Sequence, residues 1–311
     1  MIIIILVTSC YVGWNIGAND TANCIGTSVG SGLLTYKRAV YLVAIFAIVG
    51  ALLQGQPVME TIGKGVVTDT LPRLAILVAM LSAGVFVTLA TTLKLPVSTS
   101  QAIVGAIAGV GVATGATVDF SKITTIVACW VICPLLTAVL SFTLYHLSSL
   151  PARKLTNIRL WSRILGSLVV LSACYMAFSL GANHVGTAMG SVANIIGSSR
   201  WLTVLGGVAL ASGLLSYGRG VTETVARGIT PLDPLSAFAA QTSAAMTVHF
   251  FSILGIPVST SQAIVGAVVG VGLVRGMRAV SKRRLMDIIV GWIATPTVAG
   301  LVSFSLSKLL L

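Results

Sequence analysis

Apolar residues in this chain run in stretches of helix length, separated by short polar knots, and no strand-like alternation of polar and apolar positions is found. In the first half the apolar stretches lie near 2–34, 39–55, 72–94, 102–116 and 122–148, and the second half follows the same plan. A helix needs ~20 residues to cross the hydrocarbon core of a bilayer, so most of these stretches predict spanning helices rather than a barrel. Two stretches stand apart. The fourth is too short to cross alone, and the first carries a polar knot from Asn15 to Asp20, read as an interruption of the helix. Short or interrupted segments at matching places in two halves point to the binding site of a transporter.

The halves are related in sequence. Leu95 to Ala106 recurs as Ile256 to Ala267 with one change, at the first residue. Gly17-Ala18-Asn19-Asp20 matches Gly181-Ala182-Asn183-His184, and Glu60-Thr61 with Lys64 matches Glu223-Thr224 with Arg227. Trp130 and Pro134 match Trp292 and Pro296. The order is kept at a spacing of about 162 residues, which marks an internal repeat. The expected division is a first transmembrane repeat over 1–150, a short linker over 151–161 and a second repeat over 162–311.

Basic residues orient the repeats. The central loop carries Arg153, Lys154, Arg159 and Arg163, and the loop before the last span carries Arg275, Arg278, Lys282, Arg283 and Arg284. The counterpart of that second loop has only Lys122, beside Asp119. Lys and Arg concentrate in cytoplasmic loops, so equivalent loops fall on opposite sides of the membrane. The expectation is an all-α membrane protein of two inverted-topology repeats, about five helical segments each, with broken or re-entrant half-helices. It lies in the plasma membrane with lipid around it and both termini outside.

Composition agrees. The chain is 56% hydrophobic and 8% charged, where a soluble domain carries roughly a quarter charged residues. The net charge of +12 is scattered among the spans, which argues against a nucleic-acid partner. Cys10, Cys24, Cys129, Cys133 and Cys174 lack metal-type spacing and read as packing residues. Met1 to Val7 reads as the start of the first span rather than a leader. With no nucleophile–base constellation and no metal cluster in the sequence, an enzyme is not expected, nor a bound cofactor.

Three polar groups carry the chemistry. In the doubled stretch, Pro96 and Pro257 break the helix, and the Ser and Thr that follow are strong N-cap types. A helix start offers unpaired N–H groups and about half a positive charge. Two such starts, lined by Ser98, Thr99, Ser100 and by Ser259, Thr260, Ser261, form a donor-rich cage for a tetrahedral oxyanion. Gln101 and Gln262 follow, able to coordinate a cation through oxygen or to donate to the anion. The second group is Asn15, Asn19, Asp20, Thr21 and Asn23, with partners Asn183, His184, Thr187 and Asn194. An ionisable residue inside an apolar stretch is a functional-site signal. Asp20, with asparagine and unwound backbone oxygens, suits a hard cation such as sodium. His184 stands where a second aspartate would be, as a titrating group or a neutral hydrogen-bonding one. The third group pairs Glu60 with Lys64 and Glu223 with Arg227 at i, i+4, the spacing of a helical ion pair, either structural or coupled to gating. His146 and His249 are isolated and take no role.

On Gly17 to Asn23, the doubled Pro-Val-Ser-Thr and the doubled Glu-Thr with its basic residue, the chain resembles the inorganic phosphate transporter (PiT) family over nearly its whole length. The resemblance implies an inverted-repeat symporter, usually a homodimer, that moves inorganic phosphate with co-transported sodium or protons. It implies that Asn19, Asp20, Asn23 and Asn183 sit at the cation and substrate sites. Ser98, Thr99, Ser259 and Thr260 would contact phosphate, and Glu60 and Glu223 would be needed for transport. Two departures matter. His184 removes one carboxylate, which weakens the case for a sodium site and strengthens that for proton coupling while leaving both open, and the central loop is short where many relatives carry a long domain. Sulfate permeases share the Ser-Thr-Ser signal, and the intact Asp20 favours phosphate. A sulfate permease and a passive anion channel are the alternatives.

Overall fold

The computed structural model describes residues 1–30, 34–93, 97–152, 157–197, 199–219, 222, 233–274 and 282–311. Expectations placed on Leu95, Pro96, Arg153, Lys154, Glu223, Arg227, Arg275 and Arg278 lie outside these residues, as do the side chains of Lys282, Arg283 and Arg284. The first half folds as α1 (Ile2–Gly30), α2 (Tyr36–Gln54), α3 (Gln56–Glu60), a π-helical turn (Thr61–Gly65), α4 (Arg73–Thr92), α5 (Thr99–Thr114) and α6 (Phe120–Ala152). The second gives α7 (Ile158–Ile196), α8 (Arg200–Ser216), α9 (Pro234–Ile253), α10 (Thr260–Val274) and α11 (Lys282–Leu310). Six of these (α1, α2, α4, α6, α7 and α11) are long and apolar enough to cross a membrane. The two that carry the doubled stretch are short, at 16 and 15 residues.

Local chemistry sets the boundaries. Ser98 caps α5 by accepting from the amide of Gln101 at 3.3 Å, and Ser259 does the same for Gln262 in α10, also at 3.3 Å. At the far end of α5, Gly115 turns the chain at φ +73°, a left-handed cap open to glycine. Gly255 does likewise after α9 at φ +68°, and the Ile256 amide closes back on Phe251 O at 2.9 Å. That turn carries Ile256, Pro257 and Val258 across to the start of α10.

Two expectations are corrected. The polar knot does not interrupt the first helix: α1 runs unbroken from Ile2 to Gly30. Its polar side chains bond back along the helix, Thr21 Oγ1 to Gly17 O at 2.6 Å and Asn15 Nδ2 to Tyr11 O at 3.0 Å, and leave the backbone ladder intact. Helix α1 therefore contributes no unwound backbone oxygens near Asp20. Nor do Glu60 and Lys64 form an ion pair. Glu60 accepts from Gln56 Nε2 at 3.4 Å instead. The π-helical turn that begins at Thr61 widens the helix and takes Lys64 out of i, i+4 register with Glu60.

The halves pack as a pair related by a two-fold axis. Gly17 of α1 lies against Leu210 O of α8, and its counterpart Gly181 of α7 lies against Ala47 O of α2. Gly105 of α5 meets Pro296 O of α11, and Gly266 of α10 meets Pro134 O of α6. Ser303 Oγ of α11 donates to Ala106 O at 2.8 Å, mirrored by Ser141 Oγ of α6 to Ala267 O at 2.9 Å. So the last helix of each half packs on the short helix of the other. Glycine lets these backbones approach closely, as helix contacts in a bilayer need. Between α5, α6, α10 and α11 lies a cavity of about 640 Å³, lined by matched residues such as Trp130 with Trp292 and Gln101 with Gln262.

Candidate functional site

The polar residues of the unbroken α1 and α7 meet one another and the starts of α5 and α10. Asn19, Asp20, Asn23, Asn183, His184, Ser98, Thr99, Ser100, Gln101, Ser259, Thr260, Ser261 and Gln262 are all buried. Asp20 is the centre of the hydrogen-bond network. Its Oδ2 accepts from Thr99 Oγ1 at 3.0 Å, and its Oδ1 accepts from Asn23 Nδ2 at 3.0 Å. Asn23 Nδ2 also lies 3.2 Å from Thr260 Oγ1 and 3.0 Å from Ser261 Oγ. One carboxylate and one amide, a turn apart on α1, thereby reach both half-helix starts. His184 Nε2 lies 3.3 Å from Asp20 Oδ2 and 3.2 Å from Ser100 Oγ.

The two half-helices also tie to each other. Ser100 Oγ donates to Val258 O at 2.9 Å, and Ser261 Oγ reaches Val97 O at 3.4 Å. Thr99 and Thr260 thus belong to one polar cluster, joined through Asp20 and Asn23. Asn183 clamps the second break. It donates to Ser252 Oγ at 3.0 Å and to Ile256 O at 3.2 Å, and accepts from the Val258 amide at 3.3 Å. Its counterpart Asn19 donates to Thr91 Oγ1 at 2.9 Å. The carbonyl oxygens of Gln101 and Gln262 are buried and make no hydrogen bond.

Other expected residues fall elsewhere. Asn15 accepts from Thr88 Oγ1 at 2.7 Å, outside the cluster. Thr187 bonds back to His184 O at 2.8 Å, and Asn194 packs beside Gly63. Glu60 and Lys64 are exposed, on a segment whose Pro57 and Thr61 abut Gly255 at the second helix break. Sequence reasoning missed Thr91, Ser252 and His249. Thr91 and Ser252 are hydroxyls in largely apolar helices, and their matched positions in the repeat were the available signal. His249 joins three helices, bonding Tyr175 Oη at 3.0 Å and Gln54 Oε1 at 2.7 Å.

Buried hydroxyls and amides, helix N-termini and a single carboxylate suit an oxyanion together with a small cation. The model of the phosphate transporter family matches residues 16–166 and 150–303. This chain belongs to the phosphate transporter family. A Pyrococcus horikoshii relative, provisionally named a phosphate permease, is 31% identical over 100% of this chain and 98% of its own. The inorganic phosphate transporter 2-1 of Arabidopsis thaliana is 29% identical over 92% of this chain and 68% of its own. A solved structure titled the sodium-dependent phosphate transporter superposes with a TM-score of 0.91 at 27% identity, covering 100% of this chain and 99% of that one. As a member of the phosphate transporter family the protein is a multi-pass membrane transporter, not an enzyme, and phosphate is its substrate.

Proposed function

We propose that the protein is a secondary active symporter that accumulates inorganic phosphate on a sodium gradient by alternating access. The observation that carries this reading is Asp20 bonded to the start of one half-helix through Thr99 and, through Asn23, to the start of the other. In this reading Ser98, Thr99, Ser100, Ser259, Thr260, Ser261, Asn19 and Asn183 hold the anion. Asp20 holds sodium, with Asn23, Gln101, Gln262 and His184 around it. The free carbonyl oxygens of Gln101 and Gln262 support a ligand role for the pair.

Coupling follows from how hydroxyls donate. A threonine hydroxyl has one hydrogen and two lone pairs. Thr99 now gives its hydrogen to Asp20. A cation on the carboxylate takes over its charge and accepts the Thr99 lone pair, and the hydrogen turns to a phosphate oxygen. Each ligand thereby prepares the site for the other, and the two half-helix starts close on both together. The exposed Glu60 and Lys64 lie on the segment that abuts Gly255, and support for a gating role rests on that contact.

The test is labelled phosphate uptake into proteoliposomes with sodium and pH gradients imposed separately. Uphill uptake on the sodium gradient alone supports the reading. Uptake on the pH gradient alone replaces sodium with protons, for which the His184–Asp20 contact is the motivating geometry. Dissipation of a phosphate gradient that neither cation can drive uphill makes the protein a passive channel. Competition by sulfate stronger than by arsenate makes it a sulfate permease.

A further inference from the structure

The two-fold relation between the halves lets each site residue of one half be compared with its counterpart. Asn19 and Asn183 obey it, each donating to a hydroxyl at matched places, Thr91 and Ser252. Ser100 and Ser261 obey it, each reaching the carbonyl of the facing break. Asp20 and Asn23 do not. Their counterparts are His184 and Thr187, and Thr187 turns its hydroxyl back to His184 O at 2.8 Å rather than toward a half-helix.

His184 also does not sit apart as a site of its own. Its Nε2 lies 3.3 Å from Asp20 Oδ2. The second half therefore presents a ring nitrogen, not a carboxylate oxygen, toward the shared centre, and it fills one flank of the carboxylate of the first. Among the described acidic side chains Asp20 alone is buried. A sodium ion needs oxygen ligands and an anionic charge near it. The first half supplies both and the second supplies neither at this position.

Resting on the symport reading above, we infer that one sodium ion accompanies each phosphate, held at Asp20, and that His184 fixes this number by occupying the place of a second cation. His184 is a stoichiometry-setting residue that acts through its hold on Asp20. Its replacement by a carboxylate restores the symmetry of the site and adds a second sodium.

The experiment counts sodium directly. Equilibrium binding of radioactive sodium to the purified, phosphate-saturated protein reads about one ion per chain, and phosphate uptake follows sodium with a Hill coefficient of about 1. In His184→Asp the bound count doubles and the Hill coefficient rises toward 2. Two ions per wild-type chain overturn the inference, as does a sodium count of zero. A folded His184→Asp that still binds one ion overturns the role given to His184. If that variant does not fold, the wild-type count of bound sodium and the Hill coefficient of wild-type uptake decide the number alone. Failure of the symport reading looks different: no cation gradient then drives uphill uptake, whatever the number of ions bound.

Discussion

At the scale of single residues the site is a set of short polar groups that hold one another in the bilayer, where an unpartnered polar atom is expensive. Asp20 is the acidic side chain among them, so Asp20→Asn keeps the shape and, in the symport reading, removes the cation's anchor. The variant is expected to elute as a folded protein and to lose gradient-driven phosphate accumulation in proteoliposomes. Normal uphill uptake would remove Asp20 from the coupling site. Asn183 plays a mechanical part, with three hydrogen bonds that pin the break before α10. Asn183→Ala leaves buried partners unsatisfied, at a cost of about 1–3 kcal/mol, and is expected to lower the melting temperature of the detergent-solubilised protein by several degrees. The doubled Ser-Thr-Ser stretch and the Gly-Ala-Asn-Asp knot were legible in sequence because small polar residues clustered in an apolar chain have few structural explanations. Thr91, Ser252 and His249 were not, because their partners Asn19, Asn183, Tyr175 and Gln54 lie on other helices.

Between elements, glycines mark the closest backbone approaches. A Cβ on Gly266 would press on the backbone carbonyl of Pro134, and one on Gly105 on that of Pro296. Backbone has no rotamer by which to yield. Gly266→Ala is expected to destabilise by roughly 1–3 kcal/mol, and Gly105→Ala by a similar amount since its contact is the mirror image. Gly166 of α7 is the control, with nothing within 4 Å of an added Cβ. Gly166→Ala should be neutral or stabilising by at most ~1 kcal/mol. Thermal unfolding of the three variants side by side checks the contrast. If all three melt alike, close backbone approach is not what holds α6 on α10 and α11 on α5. The order and approximate lengths of the spans followed from the runs of apolar residues, which are a local signal. The continuity of α1 and the π-helical turn after Glu60 did not. The first depends on side chains bonding back to the preceding turn, and the second on a change of helical register, and neither alters the hydropathy pattern.

For the whole molecule, the repeat shows in the sequence but the exchange between its copies does not. Amino-acid order says that α6 follows α5, and the natural expectation is that they pack together. Instead α6 lies on α10, and α11 on α5, so each half completes the other. A half alone would leave the face of its short helix, with Gly105 or Gly266 on it, without the helix that covers it. Residues 1–150 and 162–311 expressed separately are therefore each expected to be degraded or to aggregate on extraction. Co-expressed as two chains, they should co-purify through a tag on one and regain phosphate uptake, since α6 on α10 and α11 on α5 hold the halves together. A monodisperse first half on its own would show that the exchanged helices are dispensable. The same exchange suits alternating access. Each short helix rides on a span from the opposite half, so in the symport reading proposed above a tilt of one half is expected to carry both half-helix starts around Asp20.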